Sequence, residues 1–213
     1  GVDISSFTCA DIGANNVTLS ATDGSGNVSS CTAVVTVSDT TAPVTPTLAD
    51  LTDECSVTAT APTTTDNCAG TVTGTTTDPL TYNTQGTFVI TWTFDDGNGN
   101  STTATQNVII NDVTLPTASN IDTAYAECIG DVPVDITLVD DEADNCGVPT
   151  VTYVGDVASN GTGCGDTITR TYNVADDAGN NIDVTQIIIL NDVTPPTASN
   201  PVTLNVVCLA DVP

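Results

Sequence analysis

Aspartate and asparagine recur in this 213-residue chain at fixed distances, and oxygen-bearing side chains of that kind suit one chemistry above others, the gathering of ligands around a hard cation. Asp39, Asp112 and Asp192 follow one another at intervals of 73 and 80 residues, each closing a run of β-branched residues. Sixteen residues before each lies a D-x-x-G-N motif, at Asp23 to Asn27, Asp96 to Asn100 and Asp176 to Asn180. Asp-Asn-Cys occurs at Asp66 to Cys68 and at Asp144 to Cys146. In a small sandwich the last hairpin turn and the loop before the third strand lie at the end where the chain enters. Asp39 is therefore expected to approach Asp66, Asn67, Asp96 and Asn100, and Asp112 to approach Asp144, Asn145, Asp176 and Asn180. Glu54 and Glu127, each just before a cysteine, are further candidate ligands. Calcium takes roughly six to eight oxygens in irregular geometry, so it is the expected cofactor, bracing each joint. Asp, Asn and Gly are also turn formers in their own right, and any one motif alone fits a loop cap. The spacing is not that of an EF-hand: counted from Asp96, the sixth position is Ser101 instead of Gly and the twelfth is Asn107 instead of Glu.

The elements that must position these residues repeat with them. Each linker, Asp39 to Pro43, Asp112 to Pro116 and Asp192 to Pro196, is followed sixteen residues past its aspartate by a cysteine, Cys55, Cys128 or Cys208. A fixed period of this kind marks a tandem array. Residues 1–39 read as the C-terminal part of one repeat, 40–112 and 113–192 as complete repeats, and 193–213 as the start of another, so the chain reads as a window on a longer array. Helix formers nowhere cluster at helical spacing, while Thr and Val alternate in every periodic run. Val17, Leu19 and Ala21, then Phe88, Ile90, Trp92 and Phe94, then Ile168, Arg170, Tyr172 and Val174 mark the inward faces of three hairpins. Arg170 is the chain's only cation, and on that face it calls for a carboxylate. About six or seven strands per repeat fit an all-β tandem array of small immunoglobulin-like sandwiches forming an extended rod.

With one Lys+Arg, twenty-seven Asp+Glu and a formal net charge of −26, the chain would be repelled by nucleic acid and by an anionic membrane surface. No stretch approaches the length of an apolar membrane-spanning helix. Eight cysteines without a Cys-x-x-Cys pair point to structural disulfides in an extracellular, oxidising compartment. Position pairs Cys55 with Cys68, Cys128 with Cys146 and Cys9 with Cys31. Cys164 is left unpaired, with Cys146–Cys164 as the competing bridge, and Cys208 waits for a partner. With no His and no Lys, and with the carboxylates gathered in turns, proton transfer and nucleophilic catalysis lack their usual groups, so no enzyme is expected.

The combination of a D-x-T-x-P linker (Asp192 to Pro196), Asp-Asn-Cys-Gly (Asp144 to Gly147) and the Asp176 to Asn180 hairpin resembles hyalin-type, HYR-like immunoglobulin-like repeats. The Thr-rich, lysine-free character, with Thr169-Arg170-Thr171-Tyr172 and Asn191 to Asn200, is most similar to the giant repetitive surface adhesins of gliding Bacteroidota. That resemblance implies a secreted, cell-surface filament exported by the type IX route and used in adhesion or gliding motility. Related repeats often carry a cysteine where Ala178 stands, which would account for an orphaned Cys164. Thr40, Thr123 and Thr167 match the Asp-(Ser/Thr)-small or aliphatic O-glycosylation pattern of the same bacteria. Two functions compete: a stalk that projects a binding domain, its partners being neighbouring repeats, and an array that itself binds surface polysaccharide or protein. The second needs exposed aromatics, for which Tyr82, Tyr125 and Tyr153 are the candidates.

Overall fold

A computed structural model of the chain describes residues 1–159 and 165–200. The Thr- and Val-rich runs become strands, and the fold is all-β, interrupted only by 3-10 turns at Cys9–Asp11, Ile129–Asp131 and Ile136–Leu138 among the described residues. None of the helical turns is long and apolar enough to cross a membrane. The chain divides into two units, Gly1–Thr114 and Leu115–Pro213.

The first unit opens with a hairpin, β1 (Gly13–Thr22) and β2 (Val28–Val37), in continuous register from Gly13 opposite Val37 to Thr22 opposite Val28. After the linker come β3 (Leu51–Asp53), β4 (Val57–Thr58), β5 (Thr63–Asp66), β6 (Gly70–Thr73), β7 (Thr81–Tyr82), β8 (Gly86–Asp95) and β9 (Ser101–Ile110). These seven strands are the complement of a small immunoglobulin-like sandwich. The sheet β3-β9-β8 has β3 parallel to β9, and the short pairs β4-β7 and β5-β6 contribute the facing layer. Period two sends Ile90, Trp92 and Phe94 inward from β8, where they meet Ala104, Val108 and Ile110 of β9 and Ala59, Val72 and Tyr82 of the facing segments. The Trp92 indole N–H donates to Gln106 Oε1 at 3.0 Å, and the Gln106 amide donates to the Ala49 carbonyl at 3.0 Å, so both polar side chains beneath this sheet are paired.

The second unit holds one four-stranded sheet in the order β10-β13-β12-β11, made of β10 (Ile121–Ala126), β11 (Thr150–Ala158), β12 (Thr167–Ala175) and β13 (Asn181–Leu190). Among the described residues this is fewer than the six or seven strands expected of a repeat. Residues 127–149 hold Gly130, Pro133, Gly147 and Pro149 among Asp131, Asp135, Asp140, Asp141, Glu142 and Asp144. Such residues disfavour strands, and they cover the sheet with turns instead. Tyr172, Val174 and Val184 are buried beneath Val139, and Ile168, Ile188 and Leu190 beneath Val132 and Ala158. Between these clusters Arg170 is 2% exposed. Its carboxylate is Asp156, directly opposite in the β11–β12 register. Nε and Nη2 donate to the two Asp156 oxygens at 2.9 Å each, and Nη1 donates to the carbonyls of Val132 and Pro133 at 2.9 and 3.0 Å. The one cation thus pins the covering segment to the sheet.

Candidate cation site at the first linker

Three hairpin turns share one construction. Asp96 Oδ1 accepts the backbone N–H groups of Asn98 and Asn100 at 2.7 and 3.0 Å, and Oδ2 accepts the Asn100 side-chain amide at 2.8 Å. Asp23 with Asn27 and Asp176 with Asn180 repeat these bonds. The glycine of D-x-x-G-N is required because Gly26, Gly99 and Gly179 have φ of 89°, 102° and 96°, where a Cβ is disfavoured. Burial raises the Asp96 carboxyl, but the bonds from Asn100, Asn98 and Gly99 outweigh it and hold the group below its ordinary value. Asp176 behaves in the same way through Asn180 and Gly179.

The Asp-Asn-Cys loop uses one oxygen of its aspartate similarly. Asp66 Oδ1 accepts from the N–H groups of Cys68 and Ala69 at 2.8 Å each. Asp66 Oδ2 is buried and has no hydrogen-bond partner, in a residue only 9% exposed. The first linker comes to the same place. Asp39 Oδ1 accepts from Thr41 N–H at 3.1 Å, Asn98 donates to Asp39 Oδ2 at 3.4 Å, and Asn100 donates to the Asp39 carbonyl at 3.3 Å. One carboxylate oxygen from each of Asp39, Asp66 and Asp96 lies within 4.8 Å of the others.

Three negative charges at that spacing repel by on the order of 3 kcal/mol per pair at an effective dielectric constant of about 20. The only arginine in the chain is committed to Asp156, so an external cation is the available relief. The donor set is all oxygen, and Asp66 Oδ2 is a buried acceptor that no protein donor reaches, both of which suit calcium. Asp39, Asp66 and Asp96 would hold it through carboxylate oxygens. Asn100 has another part, because its amide N–H groups face Asp39 and Asp96 and position them. Asn67 is turned aside, its amide donating to Cys68 Sγ at 3.2 Å.

The remaining candidates are distributed as follows. Asp112, 6% exposed, takes Thr114 N–H on Oδ1 at 3.0 Å while its own N–H donates to Gln85. In the second unit Asp144 Oδ2 accepts from Cys146 N–H at 2.8 Å, whereas Asp144 Oδ1 and Glu142 Oε2 are buried without a hydrogen-bond partner. Asn145 is exposed. Glu54 and Glu127 have a role that the sequence did not suggest: each accepts the hydroxyl of a linker threonine, Thr114 or Thr194, at 2.6 Å.

The disulfides differ from the expected pairs. Cys9 is bonded to Cys68, and Cys31 and Cys128 are free and exposed, which overturns Cys9–Cys31, Cys55–Cys68 and Cys128–Cys146. Cys55 and Cys146 are each disulfide-bonded, and Cys164 and Cys208 lie outside the described residues. The reason is the hairpin's length. Cys31 sits opposite Leu19, six residues from the open end at Gly13 and Val37, or about 20 Å at strand rise. Cys9 lies beyond that open end, beside the linker, where the loop bearing Asp66 arrives. The signal was present: Asp39 meeting Asp66 also brings Cys68 to the linker. Of the three tyrosines proposed for a binding surface, Tyr82 is buried against Phe88, Tyr153 stacks edge-on to Tyr172, and Tyr125 is 75% exposed.

No protein-family model matches the chain, and no curated protein matches it. Similar solved structures include the protocadherin gamma B4 extracellular domain, at 15% identity and a TM-score of 0.29 over 85% of this chain and 38% of that one. Extracellular cadherin domains 1–5 of protocadherin gamma B2 match at 10% identity and 0.28, over 86% and 47%. A Ca2+-stabilised adhesin that helps an Antarctic bacterium bind ice matches at 17% identity and 0.23, over 84% and 56%. The chain thus spans between 38% and 56% of these proteins. Likeness at such scores carries no argument for function, and the candidate site rests on the chain's own residues.

Proposed function

We propose that this chain is a stalk segment of a large extracellular adhesin, built of sandwich repeats whose linkers are braced by calcium. The observation that carries the reading is Asp66 Oδ2, a buried carboxylate oxygen without a partner beside Asp39 and Asp96. The Cys9–Cys68 bridge supports an oxidising, extracellular setting, and it fastens the hairpin before the linker to the sandwich after it. Attachment to a cell surface, a part in gliding and export by the type IX route belong to the same proposal and follow from the resemblance of the motifs. Thr40, Thr123 and Thr167 are proposed as glycan acceptors. Thr40 and Thr123 are exposed, and Thr167 is half-buried at the start of β12.

The stalk reading expects little binding by the chain itself, since its aromatic side chains are mostly in the core. A glycan array probed with these 213 residues and with a full-length protein separates the two functions. Signal from the full-length protein alone supports the stalk. Signal from the fragment, lost on Tyr125→Ala, supports an array that binds carbohydrate.

A further inference from the structure

The cation site and the Cys9–Cys68 bridge share one loop. Asp66 Oδ1 accepts the N–H groups of Cys68 and Ala69, so the carboxylate is tied to the residue that carries a bridging sulfur. Asn67, between them, touches both ends of the bridge: its amide donates to Cys68 Sγ at 3.2 Å, and its carbonyl oxygen lies 3.6 Å from Cys9 Sγ.

The three carboxylates are not held alike. Asp96 is fixed by the N–H groups of Asn98 and Asn100 in the turn between β8 and β9. Asp39 is tied to that turn by two long bonds, from Asn98 at 3.4 Å and from Asn100 at 3.3 Å, which makes them weak ones. Its position therefore depends on where the chain is anchored on either side. Downstream the anchor is Val44, whose N–H donates to the Thr65 carbonyl at 3.0 Å and whose carbonyl accepts the Thr64 hydroxyl at 2.6 Å. Upstream the chain runs from Asp39 into β2, where Val37 lies opposite Gly13, four residues past Cys9. The bridge joins that upstream end to the loop of Asp66, and the loop it closes contains both Asp39 and Asp66.

We propose that the Cys9–Cys68 bridge gates the cation site by redox state, an inference that rests on the calcium reading above. With the bridge closed, Asp39 and Asp66 are held beside Asp96 and calcium binds. With it open, they lose their common tether and calcium binds about tenfold more weakly, within the range of coupling between two sites. Opening is a two-electron step. A dithiol reductant attacks one sulfur as its thiolate, the Cys9–Cys68 bond breaks, and the second thiol of the reductant resolves the mixed disulfide, leaving two cysteine thiols and a cyclic disulfide. Cys9 is exposed, so its sulfur is open to that attack. Coupling is reciprocal, and calcium protects the bridge by the same factor, tenfold being about 30 mV for two electrons. The linker is thereby braced only after the chain has reached an oxidising compartment.

Isothermal calorimetry with calcium chloride tests this on the 213-residue chain, the bridge being confirmed by non-reducing peptide mapping and the fold by Trp92 emission. The binding step that Asp66→Asn weakens belongs to this site. Its Kd should rise about tenfold in the double variant Cys9→Ser, Cys68→Ser. A second arm needs no variant: the parent is equilibrated in mixtures of reduced and oxidised dithiothreitol, alkylated and mapped. With calcium far above both Kd values, half of the Cys9–Cys68 bond should open at a reduced-to-oxidised ratio about tenfold higher than with chelator. Equal Kd values in the two chains, or a ratio that calcium does not move although calcium binds, overturn the coupling and leave the calcium reading intact. Absence of Asp66-dependent binding in the parent overturns both.

Discussion

Cys9 and Cys68 are bonded across 59 residues of sequence, from the turn ahead of the first hairpin to the loop that holds Asp66. The bridge therefore closes a loop that contains the linker and Asp39. By the chain-entropy model, a loop of that length is worth up to about 4 kcal/mol against unfolding. Cys9→Ser should lower the guanidinium midpoint of the first unit, read by Trp92 fluorescence. An unchanged midpoint would mean that the bridge decorates a joint held by other forces.

Asp156 should contribute to the acid limit of the second unit. Its carboxyl is held below the ordinary value first by the hydrogen bonds from Arg170, against burial, which raises it. A depressed carboxylate stabilises the fold above its unfolded value of 3.8 and loses that contribution as pH falls through the lower folded value. The unit should accordingly weaken below about pH 4, and Asp156→Asn should remove that part of the pH dependence. Arg170→Met, which strands Asp156, should cost about 3 kcal/mol at neutral pH. Near-ultraviolet circular dichroism of the tyrosines reports both, and identical acid curves for the parent and Asp156→Asn would refute the assignment.

Much of the fold is legible in the sequence, and the rest is hidden for physical reasons. Period two in β8 and β12 placed Trp92, Phe94, Tyr172 and even Arg170 on the buried face, because strand parity is a local property. The D-x-x-G-N turns were legible too, since Gly at positive φ and an aspartate accepting local N–H groups are short-range features. Cystine pairing is not legible, because pairing by position assumes that each repeat closes on itself, whereas Cys9 lies at the open end of its hairpin and bonds Cys68 of the next repeat. The Asp156 partner of Arg170 was hidden by a register shift between Tyr153 and Gly155 in β11, which no alternation pattern announces. The amide bonds of Asn67 to Cys68 and of Asn100 to Asp39 and Asp96 join groups that no sequence spacing announces.

Trp92 should be the most sensitive single position in the first unit. Trp92→Ala is expected to cost about 3–5 kcal/mol by loss of burial and the cavity left behind. Trp92→Phe should cost less, about 1–3 kcal/mol, chiefly because Gln106 Oε1 then loses its buried donor. Denaturation followed by circular dichroism orders the two, and equal losses would show that the indole hydrogen bond contributes nothing.

Intact mass tests the glycan acceptors. These 213 residues, expressed alone in the natural host and recovered from it, should exceed 21.6 kDa by hexose-sized steps, with fewer steps after Thr40→Ala or Thr123→Ala. A mass equal to that of the bare polypeptide would remove these sites.

The most direct test of the account is the calcium dependence of the unfolding midpoint, read through Trp92 emission in the parent chain and in Asp66→Asn. Asparagine can still accept the Cys68 and Ala69 N–H groups through its carbonyl, so this variant keeps the loop and loses only the charge at the orphaned oxygen. At calcium about a hundredfold above Kd, linkage should stabilise the parent by about 2.7 kcal/mol, and Asp66→Asn should need at least about tenfold more calcium for the same shift, a difference of about 1.4 kcal/mol. A midpoint indifferent to calcium and to chelator, or a variant that responds as the parent does, would contradict the braced linker.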